Sequence, residues 1–171
     1  MMSTILLASV LLLPSPSPGA RSAPRNHAFA VETGRPFDAA LPHDFYLEGN
    51  AIPTEKRNAA LLVTPSGKQL LFALLDTSGY SSEVQQKYIG MIIAEGPVMI
   101  GGARIPVGSY GFGLKKAGGK TFLAIYNQAG TRMGSCLMKM DSRLQAPRPL
   151  QVILAGAAAR LYIGRDWVEV R

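Results

Sequence analysis

Val98–Tyr126, VMIGGARIPVGSYGFGLKKAGGKTFLAIY, places short apolar runs around a Gly-Gly turn. Gly101 and Gly102 predict a two-residue hairpin, because both central residues of such a turn need a positive φ. The turn pairs Ile100 with Ala103 in the two flanking strands. Alternate residues then share one apolar face, formed by Val98, Ile100, Ala103 and Ile105. This stretch predicts antiparallel β-structure.

The strand that follows alternates large apolar residues with glycine. Tyr110, Phe112 and Leu114 lie on one face, whereas Gly111 and Gly113 lie on the other. Glycines at alternate positions allow a backbone, an aromatic ring or a ligand to approach the strand closely. Gly111 and Gly113 are therefore candidate ligand- or partner-binding positions. The alternative is that an aromatic side chain of the same chain packs over them.

A second hairpin is predicted near the end of the sequence, around the Gly164-Arg165 turn. Its register pairs Tyr162 with Trp167 and Arg160 with Glu169. Four residues share the core face of this hairpin: Ala159, Leu161, Val168 and Val170. On the opposite face, Arg160, Tyr162 and Trp167 form a candidate patch for sugar rings, single-stranded bases or a protein surface. The alternative is that the N-terminal arm buries this face.

Glycine and proline separate the apolar runs throughout the sequence, with 18 and 12 residues respectively. We count about eight to ten short strands with turn signals between them. The predicted fold is all-β, an antiparallel β-sandwich, with a compact β-barrel as the alternative. At most one short helix is expected, a single turn over residues 83–87 with Ser81 or Ser82 as its N-cap.

The sequence divides into three predicted segments. Residues 1–19 read as a signal peptide, because the apolar run Ile5–Leu13 is too short to span a membrane and small residues follow it. Residues 20–42 are polar and contain several prolines, which predicts an extended or disordered arm. Residues 43–171 form a single β domain. The mature protein is therefore expected to be exported, periplasmic or extracellular, without a transmembrane span.

The formal net charge is +7, and the sequence contains a single cysteine, Cys136. A positive charge favours association with anionic surfaces such as lipid head groups, acidic glycans or nucleic acid. An envelope protein or an anionic glycan or lipid surface is the expected partner, and nucleic acid is not expected. One cysteine excludes an internal disulfide, so the domain depends on its apolar core. We expect Cys136 to be a small core residue rather than a reactive thiol.

The GG hairpin also carries a resemblance. Val98–Tyr110 contains the pattern V-x-I-G-G-x-x-I-P-x-G-x-Y. The pattern resembles the central hairpin of a family of exported bacterial β-domains of uncharacterised function, in which the GG turn precedes a Pro-x-Gly-x-Tyr step. The resemblance implies a bacterial exported β-domain. It carries over no active-site residue.

Catalytic and cofactor motifs are not evident in the sequence. Gly118–Thr121 ends like a phosphate-binding loop, but a strand-like run follows it where such a loop requires a helix. Both histidines lie near the arm, outside any serine-hydrolase motif, and no ligand spacing indicates a metal. Cofactors and catalytic residues are therefore not predicted. Paired carboxylates are still open, and the available set is Glu48, Asp76, Glu95 and Asp141.

Three functions are compatible with these observations. The first is a non-catalytic binding or structural module at the bacterial cell envelope. The second is a carrier of a small apolar ligand, with a cavity lined by Phe72, Phe112 and methionines. The third is a secreted hydrolase that uses carboxylates. The sequence leaves the ligand and the oligomeric state open.

Overall fold

The computed structural model describes residues 28–171, which form fourteen strands and two short helices. The first elements in chain order are β1 (Ala30–Glu32), α1 (Arg35–Ala40), β2 (Asp44–Leu47), β3 (Asn50–Val63), β4 (Gln69–Leu75), α2 (Ser82–Lys87), β5 (Gly90–Ala94) and β6 (Val98–Ile100). The remaining elements are β7 (Ala103–Ile105), β8 (Gly108–Ala117), β9 (Lys120–Asn127), β10 (Arg132–Leu137), β11 (Lys139–Met140), β12 (Gln151–Ala155), β13 (Ala158–Ile163) and β14 (Asp166–Val170).

The strands form two antiparallel sheets that pack on each other, which confirms the predicted β-sandwich over the compact barrel. The large sheet has eight strands in the order β1-β3-β4-β5-β8-β9-β10, with β2 paired to the first half of β3. The small sheet has six strands in the order β12-β13-β14-β6-β7, with β11 also paired to β14. Since β11 and β6 lie along different parts of the same side of β14, a gap separates them.

The main core lies between the sheets and contains side chains from both, including Phe72, Phe112, Leu161 and Val168. A second apolar cluster covers the other face of the large sheet, where β2, α1 and α2 pack. The large sheet therefore has no face directed wholly to water. This explains why β3 and β4 carry apolar residues on both faces, as central strands of covered sheets do.

The two hairpins have the predicted registers. Gly101 and Gly102 have φ values of 56° and 87°, and the turn pairs Ile100 with Ala103. The last hairpin pairs Tyr162 with Trp167. These registers depend on two-residue turns, which fix the pairing of both flanking strands.

One lateral side of the sandwich is closed by the chain itself. A Cβ at Gly101 would lie 2.6 Å from Cβ and Sγ of Cys136, so the GG turn of the small sheet rests directly on β10 of the large sheet. Immediately after β10, the chain passes through Met138, buried in the main core, and enters the small sheet as β11. At this side, the chain passes from the large sheet to the small sheet through Met138. The two sheets also pack against each other here, through Gly101 and Cys136.

Several details differ from the sequence predictions. There are two short helices instead of at most one, and α1 and β1 lie inside residues 20–42, which were predicted to be an extended or disordered arm. Strands of two to four residues raise the count above eight to ten. The predicted signal peptide, residues 1–19, lies outside the described residues. Neither helix in residues 28–171 has the length and apolarity that a membrane crossing requires.

We predict that the thiol of Cys136 is inert in the native protein. The residue is buried in the main core, and burial raises its pKa to about 11, so little thiolate forms at neutral pH. Cys136→Ala should cost about 1 kcal/mol or more in unfolding free energy, because it leaves a small void under Gly101. Labelling with a thiol reagent, with and without denaturant, and chemical denaturation measure these effects. Rapid native labelling would contradict the prediction.

Candidate functional site

The outer face of the small sheet carries an indole ring held between two cations. Trp167 projects from β14, with the guanidinium carbon of Arg160 at 4.3 Å and Nζ of Lys139 at 5.2 Å from its ring centroid. Arg160 lies on β13, and Lys139 lies on β11, directly opposite Trp167. We call these three residues the basic aromatic patch. Cation–π contacts at such distances stabilise each cation by about 0.5–1 kcal/mol in an exposed setting.

The charge of the patch is not compensated by neighbouring carboxylates. Glu169 lies directly opposite Arg160 in the register, yet its carboxylate pairs with Nε of Arg171 at 2.5 Å. Within residues 28–171, no carboxylate oxygen comes within 4.0 Å of the charged nitrogens of Arg160 or Lys139. Arg160 is therefore held by stacking rather than by an ion pair, which leaves its charge available to an anion.

A shallow groove of about 190 Å³ adjoins the patch. It occupies the gap between β6 and β11 along β14, next to the GG turn. Its lining residues are Gly101, Gly102, Leu137, Lys139, Trp167, Val168 and Glu169. Trp167 and Lys139 thus belong to both the patch and the groove, so a ligand on the patch could place a neighbouring group there.

Tyr162 is not part of the exposed surface. Its side chain is only 2% exposed, and its ring lies 6.1 Å from that of Trp167. The Tyr162 hydroxyl donates a hydrogen bond to Oδ2 of Asp141 at 3.1 Å. Arg165 donates to three carbonyl oxygens of the same connection, those of Asp141, Ser142 and Leu144. The C-terminal hairpin is therefore fastened to the connection that follows β11, which the sequence analysis did not expect.

The two strand glycines make room for another part of the same chain. A Cβ at Gly111 would lie 2.7 Å from the ring of Tyr88, and one at Gly113 would overlap the carbonyl oxygen of Lys87. Both glycines are buried. The close approach inferred from the sequence is present, but α2 and the residue after it fill the space. Gly111 and Gly113 therefore support packing of α2 and are not open to a ligand.

A charged cluster missed by the sequence analysis lies at the end of α2. Nζ of Lys87 lies 2.5 Å from Oε1 of Glu48, and the hydroxyl of Tyr88 donates to the same oxygen. Lys87 also lies 5.3 Å from the ring centroids of Tyr88 and Tyr126. Glu48 has a φ of 49°, the one positive value for a non-glycine residue in the described part of the chain. Glu48 and Gly49, with a φ of 79°, are the two central residues of the β2–β3 hairpin turn, which requires a positive φ at both positions.

This cluster perturbs the acidities of both of its acidic groups. The hydrogen bond from Lys87, followed by that from Tyr88, lowers the pKa of the Glu48 carboxyl. Burial, followed by the neighbouring Glu48 carboxylate, raises the pKa of the Tyr88 phenol well above its usual value. A depressed carboxyl pKa shows that folding stabilises the ionised form. The arrangement ties the β2–β3 turn to the end of α2 and provides no free acid or base.

The other carboxylates considered for hydrolysis also hold structural elements. Asp76 accepts hydrogen bonds from Ser78, and Glu95 accepts from the backbone N–H of Gln69. Asp141 holds Tyr162, as described above. In residues 28–171, histidine, cysteine and acidic side chains do not gather in groups of three that could hold a metal ion. The aromatic residues expected to line a carrier cavity, Phe72 and Phe112, are completely buried in the main core.

We predict that Gly113→Ala destabilises the fold by about 1–3 kcal/mol, because the added methyl group displaces the backbone of α2. Gly134→Ala is the matched control: its Cβ would have only one neighbour, Cβ of Ala103 at 3.7 Å. Gly134 lies in β10 as Gly113 lies in β8, and the control should change stability by less than about 0.5 kcal/mol. Urea denaturation compares them. If the two substitutions reduce the unfolding free energy equally, the contact between Gly113 and Lys87 is not the cause of the loss.

A second prediction concerns the pH dependence of stability. Because folding lowers the pKa of Glu48 below 4.5, its contribution is fully present above that value and disappears as pH falls through the folded pKa. The stability difference between wild type and Glu48→Gln should therefore be largest near neutral pH and shrink below about pH 4.5. Chemical denaturation at several pH values measures this stability difference. The Asp76→Asn variant accounts for the other carboxyl whose pKa is lowered in the folded protein. A pH-independent difference would contradict it.

The chain was compared with known proteins at three levels. Neither the family models, nor the curated protein sequences, nor the solved structures gave a match. Of the five site residues predicted from the sequence, Arg160 and Trp167 lie together on a partly exposed face. The other three, Tyr162, Gly111 and Gly113, are buried. Lys139, which was not predicted, also contacts Trp167.

Proposed function

We propose that this protein is a non-catalytic binding module, exported to the bacterial cell envelope, that binds an anionic partner on the basic aromatic patch. The observation that carries the proposal is the position of Arg160, which stacks on Trp167 while Glu169 pairs with Arg171. Export is supported by the apolar run and the small residues in positions 1–19.

The patch has the physical properties of an anion site. A guanidinium that stacks on an indole loses part of its side-chain freedom before the ligand arrives, so less entropy is lost on binding. Its planar N–H groups remain able to bind a carboxylate, sulfate or phosphate with two parallel hydrogen bonds. Lys139 adds a second positive charge across the same ring. Together these features favour an acidic group carried by a glycan, a lipid headgroup or a protein.

The rest of the molecule supports association rather than chemistry. The net charge of +7 attracts an anionic surface over a distance of about one Debye length, roughly 8–10 Å at physiological salt. The candidate carboxylates are engaged in structural hydrogen bonds. The main core places its aromatic side chains in contact between the sheets instead of around a ligand space.

We predict that Arg160→Gln weakens binding to an immobilised polyuronate glycan, and to vesicles containing phosphatidylglycerol, by about fivefold or more at physiological salt. Lys139→Gln should act in the same direction. Lys120→Gln is the matched control, since it removes the same charge from an exposed position at the start of β9. Surface plasmon resonance and vesicle sedimentation measure the affinities.

The two ligands identify the source of the anion. Binding to the glycan alone indicates an envelope polysaccharide, and binding to the vesicles alone indicates a lipid headgroup. If Lys120→Gln weakens binding as much as Arg160→Gln, the attraction depends only on net charge and the patch is not the site. If the protein binds neither the glycan nor the vesicles at low salt, the partner must be an acidic protein. In that case, affinity capture with the wild type should recover an acidic protein that the Arg160→Gln variant does not recover.

A further inference from the structure

Within residues 28–171, the second lateral side of the sandwich is only partly closed, because β12 approaches β3 there. The small sheet ends there at β12, and the large sheet presents β1 and the second half of β3. Between them lies a groove of about 300 Å³, lined on one side by Arg148, Leu150, Gln151 and Val152 and on the other by residues of β1, α1 and β3. As on the side closed by Gly101 and Cys136, no strand of residues 28–171 pairs with both sheets here.

The free edge of β12 is apolar and exposed. Its five residues, QVILA, carry no charge, and Ile153 and Leu154 are 38% and 44% exposed. On the other side of the groove, Val31 of β1 is 44% exposed. An exposed sheet edge of this composition offers unpaired backbone N–H and C=O groups together with apolar side chains.

The other sheet edges carry the features that prevent strand addition. β7 is three residues long, and Pro106 follows it. β10 contains an irregularity between Arg132 and Gly134, and begins with that arginine. β1 has three residues and includes a glutamate. Short length, charge, proline and bulges are the usual protections of edge strands. The five residues of β12 contain no charge, proline or bulge, although Arg148 and Pro149 precede them.

We propose that the free edge of β12 binds an extended segment of another protein, which adds as a further strand to the small sheet. The segment would have an apolar centre, to cover Ile153 and Leu154, and acidic residues at its ends. The acidic residues follow from charge complementarity: among the residues that line the groove, Lys56, Arg57 and Arg148 are cationic, whereas Glu32 alone is acidic. In strand addition, backbone hydrogen bonds provide affinity and alternate side chains provide specificity.

A second copy of this chain fits the edge less well. A second β12 strand would bring no acidic residue to the edge, because β12 itself carries no charge. Each copy also has a net charge of +7. An acidic segment is attracted by the same charges that oppose self-association.

The test uses a fluorescent peptide of about five alternating valines and threonines with two glutamates at each end. We expect it to bind the full chain and to slow hydrogen exchange of the β12 amides. Leu154→Lys should weaken binding about tenfold or more, although the added positive charge attracts the peptide. Met133→Lys is the matched control, because Met133 is 50% exposed on the protected edge strand β10. A peptide with proline at its centre should also bind more weakly, since it lacks a backbone donor.

Several results would overturn the proposal. They are failure of the peptide to bind, protection of amides outside β12, equal effects of Leu154→Lys and Met133→Lys, or equal binding of the proline peptide. Sedimentation of the chain alone completes the test: a dimer that Leu154→Lys dissociates would assign the edge to a second copy. Lys139→Gln, which tests the basic aromatic patch from β11, lies away from the β12 edge, so the two proposals can fail separately.

Discussion

The contact between the Gly101 backbone and Cys136 is the constraint on which the sandwich depends. A turn with positive φ at both glycines can approach β10 so closely that only the small side chain of Cys136 lies between the two sheets. The chain can therefore pass from β10 to β11 within a single buried residue, Met138. That short passage places Lys139 beside Trp167. The basic aromatic patch therefore depends on this closure.

Local turn chemistry explains which parts of the fold could be predicted. The hairpins at Gly101-Gly102 and Gly164-Arg165 were correct residue by residue, because a two-residue turn determines the pairing of both strands. Helix α1 was missed, although Pro36 in its first turn is a usual helix-start signal. The polar composition of this segment predicts an extended arm. The helix forms because its apolar side, which includes Phe37, packs on a face of the large sheet, and the local sequence does not reveal that face.

Long-range packing explains what could not be predicted at the candidate site. Lys139 reaches the patch through a two-residue strand paired with residues far along the chain, and such a short element has no periodicity. The glycines at 111 and 113 indicated a close neighbour without identifying it. The predicted register places Glu169 opposite Arg160, but Arg171 lies two residues beyond Glu169 on the same face and binds its carboxylate.

The order of strands in the small sheet has a consequence for how the chain folds. The large sheet is built from residues 30–137, whose neighbours are mostly consecutive along the chain. The hairpin β6–β7 leaves that sequence, and its partner in the small sheet is β14, residues 166–170. Until β14 forms, the apolar face of the GG hairpin has no sheet to join. The long segment between the β6–β7 hairpin and β14 must be closed into a loop before these strands can pair. This closure slows folding, because its entropy cost precedes the favourable contacts. We therefore expect the large sheet to form first and the main core to close in a later, slower step.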